Sequence, residues 1–149
     1  MNPLYTTTAV ATGDGRNGHV QTIDGVLVAP VRTPKELGGE GGATNPEQLF
    51  AAGYAACFES AMRLVARKQS VPLGDGPTIT AEVALVKTAE GAYQLAVDLT
   101  GHLPGLPEET ARALMNAAHQ VCPYSRATRG NIDVSLSLAS SEHQDAVSL

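Results

Sequence analysis

The stretch that most constrains the fold is TNPEQLFAAGYAACFESAMRLVARKQ, residues 44–69. Asn45 is a good helix N-cap, and Pro46 suits the first helical position, where its missing N–H costs nothing. Gln48 stands three residues after the cap, at the capping-box spacing. Glu47 falls at the positive end of the helix dipole, while Arg63, Arg67 and Lys68 gather at the negative end. Apolar or small residues recur at Leu49, Phe50, Gly53, Tyr54, Cys57, Ala61, Leu64 and Val65. The first half of this helix is apolar nearly all round, a pattern that calls for burial on both faces, as in a helix shared between two copies of the chain.

The rest of the chain supplies strands and a second helix. LYTTTAVAT is β-branched and reads as a strand, and GDGRNG as a loop of turn formers. HVQTID and VLVAPV form a hairpin around the turn signal Asp24-Gly25. RTPKELGGEGGA reads as a Gly-rich loop, mobile or wrapped over the surface. PTITAEVALVKT and AYQLAVDLTGHL are two strands joined by AEGA. After Pro107, Ala111, Leu114, Met115, Ala118 and Cys122 fall at helical spacing until Pro123 stops the run. IDVSLSLA is a last alternating strand, and SSEHQDAVSL a polar, fraying tail. No βαβ repeat and no Gly-rich nucleotide motif is present. The expected class is α+β, one domain over residues 1–149, with antiparallel strands wrapped on two central helices.

Composition narrows the function. With 43% hydrophobic residues and no Trp, a core has to be built from Ala, Val and Leu. A formal charge of −5 argues against a nucleic-acid partner, which needs a basic face. No stretch reads as approaching the roughly 20 apolar residues of a membrane span. MNPLYTTTAVATGDG has no basic and apolar leader regions, so no signal peptide is read and the cytoplasm is the expected compartment. His19, His102, His119 and His143 show no metal-ligand spacing with the two cysteines beyond the pair His119 and Cys122, so no metal is expected.

The two cysteines, Cys57 and Cys122, are therefore packing, a staple or chemistry. A staple is unusual in a reducing compartment. By base rate, a cysteine on an Ala-rich helix is a small buried hydrophobe. As a nucleophile it has to be a thiolate, which a helix N-terminus, a cation or a metal favours. Cys57 lies eleven residues past Pro46, about 16 Å along the helix, beyond the reach of its dipole. It needs an outside cation. Cys122 ends a helix, where the dipole disfavours a thiolate. The asymmetry points to Cys57 as attacking and Cys122 as resolving, with Arg126 and Arg129 close enough in sequence to alter that balance.

TNPEQLFAAGYAACF, followed 65 residues beyond Cys57 by the cysteine of AHQVCPYSRATRGNIDV, resembles the organic hydroperoxide resistance (Ohr) proteins of the OsmC/Ohr superfamily. The likeness covers almost the whole chain, and CPYSRATRGN favours the Ohr branch over the OsmC branch, whose stretch differs after the proline. The resemblance implies an intertwined homodimer and a thiol peroxidase that reduces alkyl and lipid hydroperoxides to alcohols. It implies Cys57 as the peroxidatic cysteine, Cys122 as the resolving one, Arg16 as the active-site arginine and Glu47 as its carboxylate partner. It also implies no bound cofactor and an external dithiol reductant such as a dihydrolipoyl group.

Glu47 and Cys57 are ten residues, roughly 15 Å, apart on a straight helix and cannot touch. Either Arg16 spans part of the gap or the carboxylate comes from a partner chain; the helix apolar on both faces favours a site at a dimer interface. Leu49, Phe50, Tyr54, Phe58 and Met62 are candidates for an apolar mouth, each with core packing as its alternative. Three other readings stand beside this one: an OsmC-branch peroxidase with a different peroxide preference, a module that binds an apolar ligand with its cysteines merely buried, and a redox sensor that signals rather than clears peroxide, against which the lack of a DNA-binding or partner-docking signature counts.

Overall fold

The computed structural model describes residues 1–140, so the expected frayed tail, with His143, lies outside the described residues from Ser141 on. The chain falls into two compact units, residues 1–49 and residue 50 onward.

In the first unit, β1 (Ala9–Thr12), β2 (His19–Thr22) and β3 (Val28–Pro30) form an antiparallel sheet in that order. The expected hairpin is β2–β3, with Val20 opposite Ala29. Its tip is tied by Asp24, whose Oδ1 accepts from the Thr22 hydroxyl at 2.7 Å and from the Val26 N–H at 3.0 Å. That is the local side-chain-to-backbone bonding for which Asp is favoured in turns. The Gly-rich segment is not loose. It contains a 3-10 turn at Lys35–Leu37, hydrogen bonds from the Gly39 and Gly41 N–H groups to Pro34 and Thr33, and a parallel bridge between Val31 and Thr44.

Helix α1 runs Pro46–Lys68. Its cap forms as expected on one side only: Asn45 Oδ1 accepts the Gln48 N–H at 2.9 Å, while the Gln48 side chain accepts from Thr44 Oγ1 at 3.0 Å. By length and composition α1 is long and apolar enough to cross a membrane, contrary to the reading of the sequence. In the structure its Tyr54, Phe58, Met62 and Val65 are buried in a protein core.

In the second unit, β4 (Thr78–Lys87) and β5 (Tyr93–His102) pair antiparallel, with Val83 opposite Val97. Ile79, Ala81 and Val83 are half-buried while Thr80, Glu82 and Ala84 face out, the period of two of a sheet with one wet face. Helix α2 (Glu108–Val121) buries Ala111, Leu114, Met115 and Ala118, spaced three and four apart on one stripe. A short helix, α3 (Pro123–Thr128), follows at once. β6 (Val134–Leu138) then adds to β5 in parallel, Leu99 opposite Leu136. The fold is α+β as expected, with two departures. The second sheet is mixed, because α2 and α3 carry the chain back before it re-enters, the kind of crossover a parallel pair needs. There is also a third helix, because Pro123 ends α2 but is well suited to the first position of a new helix.

Candidate active site

Cys57 is half-buried on α1 and Cys122 is fully buried, and their sulfurs lie 3.5 Å apart. Both thiols are free. The placement of Cys122 follows from its neighbour. A residue before proline is pushed out of the helical region, and Cys122 takes φ −61°, ψ 123°, closing α2 and capping α3. Cys122 therefore stands at the junction of two helices, not simply at the end of one.

Burial pushes the Cys57 thiol up from its ordinary pKa, and the adjacent Cys122 adds to the effect. The Tyr124 backbone N–H, in the first turn of α3, opposes them. Activation therefore calls for a positive charge, as the sequence led one to expect.

The expected arginine and its carboxylate are joined in the first unit. Arg16 Nη1 donates to Glu47 Oε2 at 2.9 Å and Nη2 to Oε1 at 2.6 Å, a bidentate pair. Arg16 sits in a 3-10 turn, Gly15–Asn17, closed by the Asn17 N–H on the Asp14 carbonyl at 2.8 Å. Gly18 ends that turn. A Cβ there would lie 2.0 Å from the Thr12 carbonyl oxygen, so only glycine fits without a backbone shift. Arg32, which the sequence did not single out, reaches back to the Gly18 carbonyl at 3.0 Å. The hydrogen bond from Arg16 is the main cause that holds the Glu47 carboxyl below the usual carboxylate range, against the opposing effect of partial burial. The same bond raises Arg16.

Of the five candidates for an apolar mouth, Phe50 lines an open cavity of about 670 Å³ together with Tyr93, Leu95, Tyr124 and Ile132. Leu49 is half-buried in the first unit. Tyr54, Phe58 and Met62 are corrections to the sequence reading. Spaced four apart on α1, they face inward and are fully buried in the core. The wall that the sequence missed is Tyr124, whose ring lies 6.0 Å from that of Phe50 and 5.7 Å from that of Tyr54. Gly53 makes room for it: a Cβ there would stand 2.8 Å from the Tyr124 hydroxyl. Among the described residues, no group of three or more His, Cys, Asp or Glu is placed to hold a metal ion.

The fold has a match among known proteins. The chain belongs to the OsmC family, whose model, described as OsmC-like protein, matches residues 39–137. Within that family it is similar to the organic hydroperoxide resistance protein of Xanthomonas axonopodis pv. citri, 50% identical over 137 residues, which are 91% of this chain and 95% of that one. It is equally similar to the organic hydroperoxide resistance protein OhrA of Bacillus subtilis, 50% identical over 141 residues, 92% of this chain and 97% of that one. A crystal structure of an organic hydroperoxide resistance protein from Legionella pneumophila is 57% identical and superposes with a TM-score of 0.88 over 93% of this chain and all of that one. The resemblance carried by residues 44–58 and 118–134 therefore holds for the Ohr branch.

Proposed function

We propose that the protein is a thiol-dependent peroxidase that reduces organic hydroperoxides to alcohols through Cys57 and Cys122. The observation that carries this reading is the 3.5 Å separation of the two sulfurs in the reduced chain. It leaves about 1.5 Å to close to the roughly 2.05 Å of a disulfide. Similarity to organic hydroperoxide resistance proteins along nine-tenths of the chain supports the choice of substrate.

In this reading the Cys57 thiolate attacks the distal oxygen of an alkyl or lipid hydroperoxide. The O–O bond breaks, the alkoxide leaves and takes up a proton as an alcohol, and Cys57 becomes a sulfenic acid. The Cys122 thiol then attacks the Cys57 sulfur; its proton leaves with the displaced hydroxide as water, and a 57–122 disulfide remains. An external dithiol, for which a dihydrolipoyl group is our choice, reopens it by exchange. Rapid closure protects Cys57 from irreversible overoxidation. Arg16 supplies the positive charge that ionises Cys57 and binds the peroxide oxygen, and Glu47 lowers the cost of holding that charge near apolar surface. The site lies at the interface of a cytoplasmic homodimer, and the cavity at Phe50 and Tyr124 takes the alkyl chain.

Mass spectrometry after one equivalent of tert-butyl hydroperoxide tests the reading. The expected product is a single 57–122 crosslink, absent in Cys57→Ser. Turnover by Cys57→Ser at the wild-type rate would remove the assignment. Faster turnover of hydrogen peroxide than of organic peroxides would overturn the substrate class.

A further inference from the structure

α3 has six residues, too few to hold its own position by helical hydrogen bonds. Yet its cap is Cys122, and its first turn carries the N–H that acts on Cys57. What ties it down is a buried chain of polar groups. Tyr54 Oη lies 2.8 Å from Ser125 Oγ and 3.2 Å from Thr128 Oγ1, and Ser125 Oγ lies 2.8 Å from His119 Nδ1. Tyr54 and Ser125 are fully buried, and Thr128 is nearly so.

The spacing matches that of the thiols. Tyr54 precedes Cys57 by three residues on α1, and Ser125 follows Cys122 by three on α3. Residues three apart on a helix share a face. The Tyr54–Ser125 hydrogen bond and the Cys57–Cys122 contact thus tie α1 to α3 and to the cap residue just ahead of it. One proton assignment satisfies every group. Thr128 donates to Tyr54 Oη at 3.2 Å, Tyr54 donates to Ser125 Oγ, and Ser125 donates to Nδ1 of a neutral His119. Burial, and then the charge of Arg129, lowers the His119 pKa and keeps the ring neutral. Arg129 also donates to the His119 carbonyl. An unpaired buried hydroxyl is costly, so each member holds the others in place.

We infer that Tyr54 and Ser125 are positioning residues for disulfide closure, holding the α2–α3 junction so that the Cys122 sulfur stays aimed at Cys57. This deepens the proposed peroxidase cycle and rests on it for the biological oxidant. The closure it describes, two thiols losing two electrons and two protons to become a disulfide, can be driven by other oxidants. Displacing a reacting atom by about 1 Å can cost on the order of a hundredfold in rate.

The test compares Tyr54→Phe, Ser125→Ala and the double variant in two assays. In the first, one equivalent of tert-butyl hydroperoxide is added, and the Cys57 sulfenic acid (trapped with dimedone) and the 57–122 disulfide are followed separately. In the second, diamide drives closure without peroxide: it adds to one thiol, the other displaces it, and the disulfide forms as diamide is reduced to its hydrazine. Each single variant is expected to close about tenfold or more slowly in both assays, and to lose several-fold more in closure than in sulfenic acid formation. The double variant is expected to be no slower than the slower single one, since both changes remove one shared link. If either single variant fails to fold, the other decides the closure rate. Wild-type closure in the diamide assay, equal slowing of both steps, or additive effects in the double variant would each overturn the inference. Failure of the wild-type chain to react with hydroperoxide while still closing with diamide would overturn the proposed function, and the diamide rates would still judge the positioning role.

Discussion

Protonating Glu47 removes the charge that pairs with Arg16. Its carboxyl pKa is depressed in the folded chain, so the unfolded state binds its proton first. The pair's contribution to stability is full above the ordinary carboxylate pKa of about 4.3 and is lost as pH falls through the lower folded value. With the two side chains 37% and 15% exposed, solvent screening limits the pair to about 1 kcal/mol. Glu47→Gln is expected to lose up to that amount in urea unfolding at pH 7, with the difference from wild type shrinking as pH falls below the ordinary carboxylate pKa. The same pair bears on reactivity. If Arg16 ionises Cys57, Arg16→Ala raises the pH midpoint of Cys57 alkylation by iodoacetamide; an unmoved midpoint would take Arg16 out of the mechanism. The two cysteines and Glu47 were legible because they stand in long, specific motifs, whereas Arg16 stands in a generic turn and came into view only through the family resemblance those motifs carry. Tyr54 was not legible. On a helix already apolar all round, a tyrosine reads as one more lipophilic ring, and nothing local reveals that its hydroxyl meets a serine 71 residues away.

The elements were legible wherever periodicity ran for several turns or pleats: α1, α2, β4 and β5 lie where their patterns put them. What the pattern did not carry was direction and restart. IDVSLSLA alternates equally well in either orientation, and only the crossover through α2 and α3 makes β6 parallel to β5. Pro123 is a stop signal for α2 and a start signal for α3, and a sequence scan sees the stop first. The Arg16 turn is similar: GDGRNG reads as generic turn residues, whereas Gly18 is required by the nearness of Thr12. Gly18→Ala is therefore expected to cost about 1–3 kcal/mol in chemical denaturation, as a backbone shift relieves the overlap. It is also expected to lower peroxide turnover as strongly as Arg16→Ala does. Full activity in Gly18→Ala would show that the turn need not hold its shape.

At the scale of the whole molecule, the first unit exposes Val10, Ile23, Val26 and Val28 without covering them. In the proposed homodimer a second copy buries such residues, and sedimentation equilibrium at micromolar concentration is expected to give twice the 15.4 kDa chain mass. A monomer would remove the interface from the mechanism. The 3.5 Å sulfur pair has a further consequence, because it joins residues 65 apart around β4, β5 and α2. Closing a loop of that length restricts the unfolded chain by about 4 kcal/mol, and calorimetry is expected to find the oxidised protein melting about 10 °C above the reduced one. In the proposed cycle the spent catalyst is then the hardier species. Molecules waiting for an electron donor would outlast proteases and heat better than the active ones, so a peroxide burst would build up a durable reserve that a later supply of reductant could return to service.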